Sequence, residues 1–384
     1  MKVTQIYDIV NSTTEEVLGR EEVLQEDLQN IVDVGDEIIN TDNVDNYVKK
    51  LVNHIGKVVF VNRQYEGGVP SVLMDSWEFG SVLEKVSADL PTATESDSWK
   101  LENGKSYDDD IFYQPSVSAK FFNSKVTFEI PMSFTELQIK ESFSDVNQLN
   151  GFLSMLTTSI ENAMTVKLDN LIMRTINNMT GETLVGDTSG VRAVNLLTSF
   201  NETVETPLTP EQAIKDPDFI QHASYTIGLY SDRITRISSL FNGGAKERFT
   251  PASQRHTVLL SDFAKASDVY LKSDIQNKEL VTLPEHETVP YWQGSGSIYD
   301  FDSVSKIDVV TSSGSEVSQS GILGVMFDRQ ALGISNLDRR VTTNYNASAE
   351  FYTNFYKFDA GYFNDLNENY VVFYIAEETE EPAE

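Results

Sequence analysis

The residues with catalytic potential in this chain are few and scattered. Its four histidines, His54, His222, His256 and His286, each stand alone, and none has the H-E-x-x-H spacing that puts two imidazoles on one helix face around zinc. The phosphate-cradling G-x-x-x-x-G-K-[ST] loop and the dinucleotide G-x-G-x-x-G are absent, and Gly294-Ser295-Gly296 is not the G-x-S-x-G elbow of an acyl-transfer nucleophile. With no cysteine there is no thiolate nucleophile, no thiolate metal site and no disulfide. One carboxylate cluster, Asp108-Asp109-Asp110, offers the oxygen donors that suit calcium or magnesium. It lacks the regular spacing of a dedicated loop, so a solvated loop tip is the plainer reading, and no cofactor is expected. A hydrolase built from distant carboxylates would escape a motif search, and it would need an apolar pocket with convergent acids.

Composition narrows the classes further. At 384 residues the chain exceeds the size at which a single core usually stops growing, so two or more lobes are expected. Hydrophobic residues at 40% and charged residues at 23% are ordinary for a folded protein. The apolar runs are short, such as Val58-Val59-Phe60-Val61, far below the roughly 20 residues that cross a bilayer. Asp8 falls where a secretory signal would have its apolar core, so the product is expected to stay where it is made. The net charge of -30 repels nucleic acid through the whole-molecule field. Local basic groups near Lys246, Arg248 and Arg255, and near Arg329, Arg339 and Arg340, read as partners for surplus carboxylates.

The elements that would position any functional surface follow from periodicity. Val17, Leu24, Leu28 and Ile31 make one helical stripe in an acidic N-terminal region, with Glu15, Glu16, Glu21 and Glu22 favouring the helix start. That helix is either docked on the body or an arm reaching a neighbour. Gly67-Gly68-Val69-Pro70 marks a turn. Over 82–90 the even positions Val82, Glu84, Val86, Ala88 and Leu90 stand against Lys85, Ser87 and Asp89, mostly the period of a half-covered strand. A returning strand carries Phe122, Val126, Phe128, Ile130 and Met132 on one face, and its phase slip at Phe121-Phe122 predicts a bulge. Between them lies a polar stretch with the turn signal Asn103-Gly104, flanked by Trp99, Leu101 and Tyr107. The whole reads as a long hairpin with an acidic tip. A two-stranded hairpin is marginal alone and its edges invite pairing, so it needs a cover from its own body or from an adjacent copy.

Ser133-Phe134-Thr135-Glu136 has the capping-box pattern and predicts a short helix to about residue 140. Leu149, Phe152, Leu156, Ile160, Met164, Leu168, Leu171, Ile172, Thr175, Ile176 and Met179 then recur every three or four residues. Such a helix would be a rod of roughly 46 Å at about 1.5 Å per residue, with Gly181 placed to end it. Thr209-Pro210-Glu211-Gln212 and Asp216-Pro217 each set a capping residue before a proline. A second long helix is expected over 217–241, closed by Asn242-Gly243-Gly244. Beyond residue 255 the pattern is mixed: strands at 257–260, 307–310, 322–327 and 370–376, and a helix at 262–271. Eleven aromatics between Tyr345 and Tyr374 read as a packed sheet face, and residues 377–384 as an acidic tail.

In its order of elements the chain resembles the major capsid proteins of tailed bacteriophages, the Hong Kong 97-like fold. The segments that carry the resemblance are the hairpin, Phe128-Glu129-Ile130-Pro131-Met132-Ser133, the long helix, the run from Gly324-Val325-Met326-Phe327-Asp328-Arg329 to Gln330-Ala331-Leu332-Gly333-Ile334, and Phe358-Asp359-Ala360-Gly361-Tyr362-Phe363 followed by Asn369-Tyr370-Val371-Val372-Phe373. The resemblance implies an α+β fold with an N-terminal arm and lead-in (1–76), an extended hairpin loop (77–132) and a peripheral domain (133–255) whose spine helix covers about 146–180. It further implies an axial domain (256–335), return strands (336–376) and an acidic tail (377–384). It implies self-assembly into an icosahedral shell around the phage genome, as pentamers and hexamers built in the host cytoplasm. Portal and separate scaffolding proteins would be partners, and double-stranded DNA would be enclosed without sequence-specific binding. A strongly acidic inner wall would suit that by repulsion. Trp99, Leu101, Tyr107, Phe121 and Phe122 would touch neighbouring subunits, and in members that crosslink, Lys100, Lys105 or Lys120 would pair with Asn344 or Asn346. The competing reading is a phage tail or surface adhesion protein, a class that tends toward repeated β-rich segments not found here.

Overall fold

The computed structural model describes residues 11–13, 16, 71–74, 83–88, 90, 91, 93, 95, 96, 98–107, 112, 114, 116–135, 137, 146–273, 283–294 and 299–377. The expected N-terminal stripe from Val17 to Ile31, the turn at 67–70, Asp108-Asp109-Asp110 and the tail after residue 377 lie outside the described residues.

In chain order the first strands are β1 (Leu73–Met74), β2 (Leu83–Ala88), β3 (Val117–Phe122) and β4 (Lys125–Thr135). Helix α1 (Val146–Gly186), β5 (Ala193–Asn195), α2 (Leu196–Asn201), α3 (Pro210–Ala213) and α4 (Pro217–Arg233) follow. Then come β6 (Arg255–Leu260), α5 (Ser261–Ser273), β7 (Glu287–Val289), α6 (Phe301–Val304), β8 (Ile307–Val310) and β9 (Glu316–Gln319). The chain closes with β10 (Ile322–Asp328), β11 (Leu332–Asn346), β12 (Phe351–Asn364) and β13 (Tyr370–Tyr374). This α+β chain divides into two compact units: 1–76, 125–172 and 334–361 in one, 77–124, 173–333 and 362–384 in the other.

The first unit is built on a four-stranded sheet of order β1-β11-β12-β4. Strict alternation in β4 turns Val126, Phe128, Ile130, Met132 and Phe134 to one side. There Phe128 meets Phe358 with ring centroids 5.0 Å apart, and Phe134 stacks on Tyr352 at 6.4 Å. The other side is polar, with Lys357 Nζ 2.8 Å from Glu129 and the Thr127 hydroxyl donating to Asp359 at 2.6 Å. Burial pushes the Tyr356 phenol up to about 12, with the neighbouring Asn354 pulling the other way.

Two expectations fail here. Residues 117–132 do not form one bulged strand: β3 stops at Phe122 and β4 pairs with β12 over Lys125↔Gly361 to Thr135↔Phe351. The phase slip at Phe121-Phe122 therefore marks a change of partner, because alternation reports faces and says nothing of which strand lies alongside. Ser133 is not the cap of the expected short helix either, although Leu137, the one described residue of 136–140, is helical. Ser133 sits in β4 opposite Thr353, and eleven paired residues outweigh a local capping pattern. Pro131 is tolerated because β4 is the sheet edge.

Helix α1 has 41 residues, ten more than the apolar stripe of the sequence, which at about 1.5 Å each gives roughly 60 Å. Ile160, Met164, Leu168, Leu171, Ile172, Ile176 and Met179 are buried along it. Gly181 lies inside the helix rather than at its end. A Cβ there would collide with the Val309 side chain, so glycine serves the close approach of β8. Thr180 and Thr183 satisfy their hydroxyls on the carbonyls four residues back, at 3.0 and 2.9 Å. The turn after α1 is tied by Asp187, whose carboxylate accepts from the Arg192 and Ala193 amides at 2.6 and 2.8 Å and from Ser189. Burial pushes the Asp187 pKa up, and the Ala193, Ser189 and Arg192 donors together outweigh it and hold it down at about 2.

The second unit contains a five-stranded sheet of order β5-β13-β10-β6-β7. Its core joins Leu197, Phe219, Ile220, Ile227, Phe263, Leu323, Met326 and Phe373. The proline-led helix starts occur as the sequence indicates: Gln212 accepts from the Thr209 amide at 3.1 Å, and Asp216 accepts from the Phe219 amide at 2.9 Å. Helix α4 nevertheless stops at Arg233, short of the expected residue 241. Residues 234–250 fold back on themselves instead, and Asn242 closes that loop by accepting from the Lys246 amide at 2.8 Å. Among the described residues no helix is long and apolar enough to cross a membrane.

Candidate functional site

The hairpin of β2 and β3 is the feature with a surface to offer. Its register runs from Leu83↔Phe122 to Ala88↔Val117, so Leu83, Lys85, Ser87, Ser118, Lys120 and Phe122 share one face. That face turns to the body of the second unit. Lys85 Nζ lies 3.0 Å from Asp365 and 2.7 Å from Glu368 and donates to the Gln330 carbonyl at 3.2 Å. Lys120 Nζ lies 2.9 Å from the other oxygen of Asp365, and Arg248 approaches Glu368 at 3.7 Å. Three cations thus share two carboxylates. Phe122 packs on Phe363 with centroids 5.1 Å apart.

The carboxylates are held by their own turn. Asp365 donates its amide to the Ala331 carbonyl at 2.7 Å and accepts from the Asn367 amide at 3.1 Å. Burial raises its pKa, but Lys120, Lys85 and the Asn367 amide together outweigh that and set it below the usual carboxylate value. The anion is therefore the form the fold contains.

Fixing the lysines inward forces the opposite face outward. The sequence alternation puts Val86 and Ala88 on the covered side, and the structure reverses that phase: Val86, Val117 and Phe121 are 61%, 59% and 64% exposed. The ion pairs of Lys85 and Lys120 decide the orientation, leaving an apolar face without partner among the described residues. At the far end Asn103-Gly104 makes the expected turn, with Gly104 at φ +85°. The Tyr107 hydroxyl accepts from the Glu102 amide at 3.0 Å, and Lys105 Nζ sits 5.6 Å over its ring. Trp99, Leu101 and Phe112 project into solvent.

Of the contact residues read from the sequence, Trp99, Leu101, Tyr107 and Phe121 are exposed, whereas Phe122 faces its own body. Arg248 pairs with a carboxylate as the sequence suggests, whereas Asp365, Glu368 and the pairing role of Lys85 went unnoticed. The available signal was two lysines interrupting apolar strands, Lys85 and Lys120. Among the described residues no group of three or more histidine or acidic side chains is arranged to hold a metal.

The hairpin is thus locked to its body by the lysines and carries an exposed apolar face, Val86, Val117 and Phe121. Residues 10–374 match the family model of the Phi29-like phage major capsid protein, and the chain belongs to that family. It is a major capsid protein of a phage head, a structural and non-enzymatic component of the virion. No curated protein matches the chain. Among solved structures, the capsid of Staphylococcus phage Andhra is similar at TM-score 0.49 and 9% identity, over 80% of this chain and 84% of that one. The capsid of the cyanophage P-SCSP1u is similar at 0.48 and 9%, over 83% and 92%. The mature capsid of bacteriophage PhiM1 is similar at 0.43 and 8%, over 84% and 88%.

Proposed function

We propose that the β2–β3 hairpin is the intersubunit arm of an icosahedral shell with the Hong Kong 97-like architecture. The observation that carries this reading is the exposed apolar face of Val86, Val117 and Phe121, which one copy of the chain cannot cover among its described residues. Residues 133–255 then serve as the peripheral domain with α1 as its spine, and 256–335 as the axial domain. Pentamers and hexamers form in the host cytoplasm and close around double-stranded DNA, which the net charge of -30 repels from the wall whatever its sequence. A portal and a separate scaffolding protein complete the assembly. Many modest contacts add up by multivalency, so no single interface needs high affinity.

Deleting residues 91–115 tests the reading. The truncated subunit should remain folded, as judged by circular dichroism and cooperative unfolding, and electron microscopy should find no closed shells. Normal shells from that deletion would overturn it.

A further inference from the structure

A receiving surface for the hairpin tip lies in the loop after α4. Thr250 donates its amide to the Ile234 carbonyl at 2.9 Å, and Ser238 and Arg248 exchange both backbone bonds at 2.9 and 3.1 Å. These bonds fold residues 234–250 back through a single antiparallel bridge at Ser238 and Arg248. Arg248 approaches Glu368 at 3.7 Å, while its neighbour Phe249 and, beside the bridge, Ile237 are 54% and 57% exposed. Leu240 in the same loop is 60% exposed.

The charge around this patch is opposite to that of the chain. Residues 233–255 hold Arg233, Arg236, Lys246, Arg248 and Arg255 against Glu247 alone. Arg233 and Arg236 are exposed and have no carboxylate partner among the described residues; Arg233 lies 5.6 Å over the Tyr230 ring. The connection between β2 and β3 has the complementary character. Residues 89–116 carry Asp89, Glu95, Asp97, Glu102, Asp108, Asp109 and Asp110 against Lys100 and Lys105. Its outward side chains are large and apolar, led by Trp99, which is 97% exposed and holds a positive φ of +73°. A bulky residue in the left-handed region, open to water, marks a conformation retained for something other than its own packing.

We propose that the hairpin tip of one copy, anchored by Trp99 and Leu101, seats on the Ile237, Leu240 and Phe249 patch of the next copy, its acidic flanks against Arg233 and Arg236. The proposal rests on the hairpin being the intersubunit arm. Donor and acceptor are different patches of the same chain, so each copy gives to one neighbour and receives from another, the head-to-tail contact that closes a ring. An aromatic anchor in an apolar patch supplies binding energy, and the opposed charges select the partner and its register.

The chain has no cysteine, which makes paired cysteines a clean test. Leu101→Cys with Leu240→Cys, in assembled shells under mild oxidation, should give a ladder of disulfide-linked subunits on a non-reducing denaturing gel. Leu101→Cys with Val269→Cys, on the exposed side of α5, should not. Shells without the Leu240 ladder, or an equal ladder from the Val269 pair, would overturn the proposal. Independently, Arg233→Glu with Arg236→Glu should block assembly, and adding Asp108→Lys with Asp109→Lys should restore it. Normal assembly of the arginine variant overturns the proposal, and so does failure of the rescue. Normal assembly with reduced DNA retention would assign the patch to nucleic acid. If deletion of 91–115 stops shells while the Leu101–Leu240 pair stays unlinked, the arm stands and this receiving surface falls; if the deletion builds shells, both fall.

Discussion

Lys120 reaches Asp365 across 245 positions of sequence, Nζ to Oδ1 at 2.9 Å, while Lys85 closes on Oδ2 at 3.0 Å. One buried carboxylate thereby clamps both strands of the hairpin at its base. The lysines keep part of their surface in water, and the carboxylate does not. Losing the anion leaves two ammonium groups facing each other with only Glu368 nearby.

Asp365→Asn should therefore cost about 2 kcal/mol, in the range for hydrogen bonds to charged groups rather than for a fully buried pair. Limited proteolysis should cut first within 89–116 in the variant. The wild-type clamp has its own acid limit. Because the folded pKa of Asp365 is depressed, its contribution is complete above the ordinary carboxylate value of about 3.9 and is lost as pH falls below it. A cleavage pattern at pH 3 that matches the pattern at pH 7 would contradict this.

Phe121 and Phe122 are adjacent in sequence and opposite in role. Phe121→Ser should leave subunit stability within about 0.5 kcal/mol of wild type, since the ring is largely in solvent, and should impair assembly. Phe122→Ser should lower stability by about 2 kcal/mol by removing the contact with Phe363. Chemical denaturation of the subunit and particle counts by electron microscopy separate the two.

Gly181→Ala sets helix propensity against packing. Alanine gains about 1 kcal/mol over glycine within a helix, but its Cβ collides with Val309, and overpacking costs about 1–3 kcal/mol. The net should be a loss of about 1 kcal/mol in thermal unfolding. Adding Val309→Ala should relieve the collision and recover most of it; no recovery would mean the clash is not the cause.

His256 gives the fold a second, milder pH dependence. Its ring is buried and stacks on Phe327 with centroids 5.2 Å apart, and Nε2 lies 3.3 Å from Glu287. Burial pushes its pKa down, Glu287 opposes this and Arg329 adds to it, with the net below the ordinary value. The unfolded chain takes up the proton first, so stability is full above about pH 6.5 and declines as pH falls through the lower folded value. His222, also depressed by burial, adds to the slope. His256→Phe should flatten the decline below about pH 6.5 without abolishing it; an unchanged slope would count against His256.

Much of the local structure was legible. The stripe from Ile160 to Met179, the proline-led starts at Thr209 and Asp216 and the turn at Asn103-Gly104 depend on spacing and backbone chemistry within a few residues. The misreadings share a different cause. Ser133 looks like a cap and lies in a strand, Gly181 looks like a stop and lies inside a helix, and the slip at Phe121-Phe122 looks like a bulge and is a change of sheet. Each depends on a partner far along the chain: Thr353, Val309 and β12.

The clamp repeats that lesson at the functional surface. Sequence by itself determined that 83–88 and 117–122 would alternate, that an acidic connection would join them and that the long helix would carry one apolar stripe, because these follow from the two-residue and 3.6-residue periods of the backbone. Only the tertiary structure decided that Lys85 and Lys120 face the body and Val86 and Phe121 face away. The side chains alone allow either face to be covered. The choice falls to Asp365, whose burial makes an unpaired charge costly and so draws both lysines, and the face they occupy, inward.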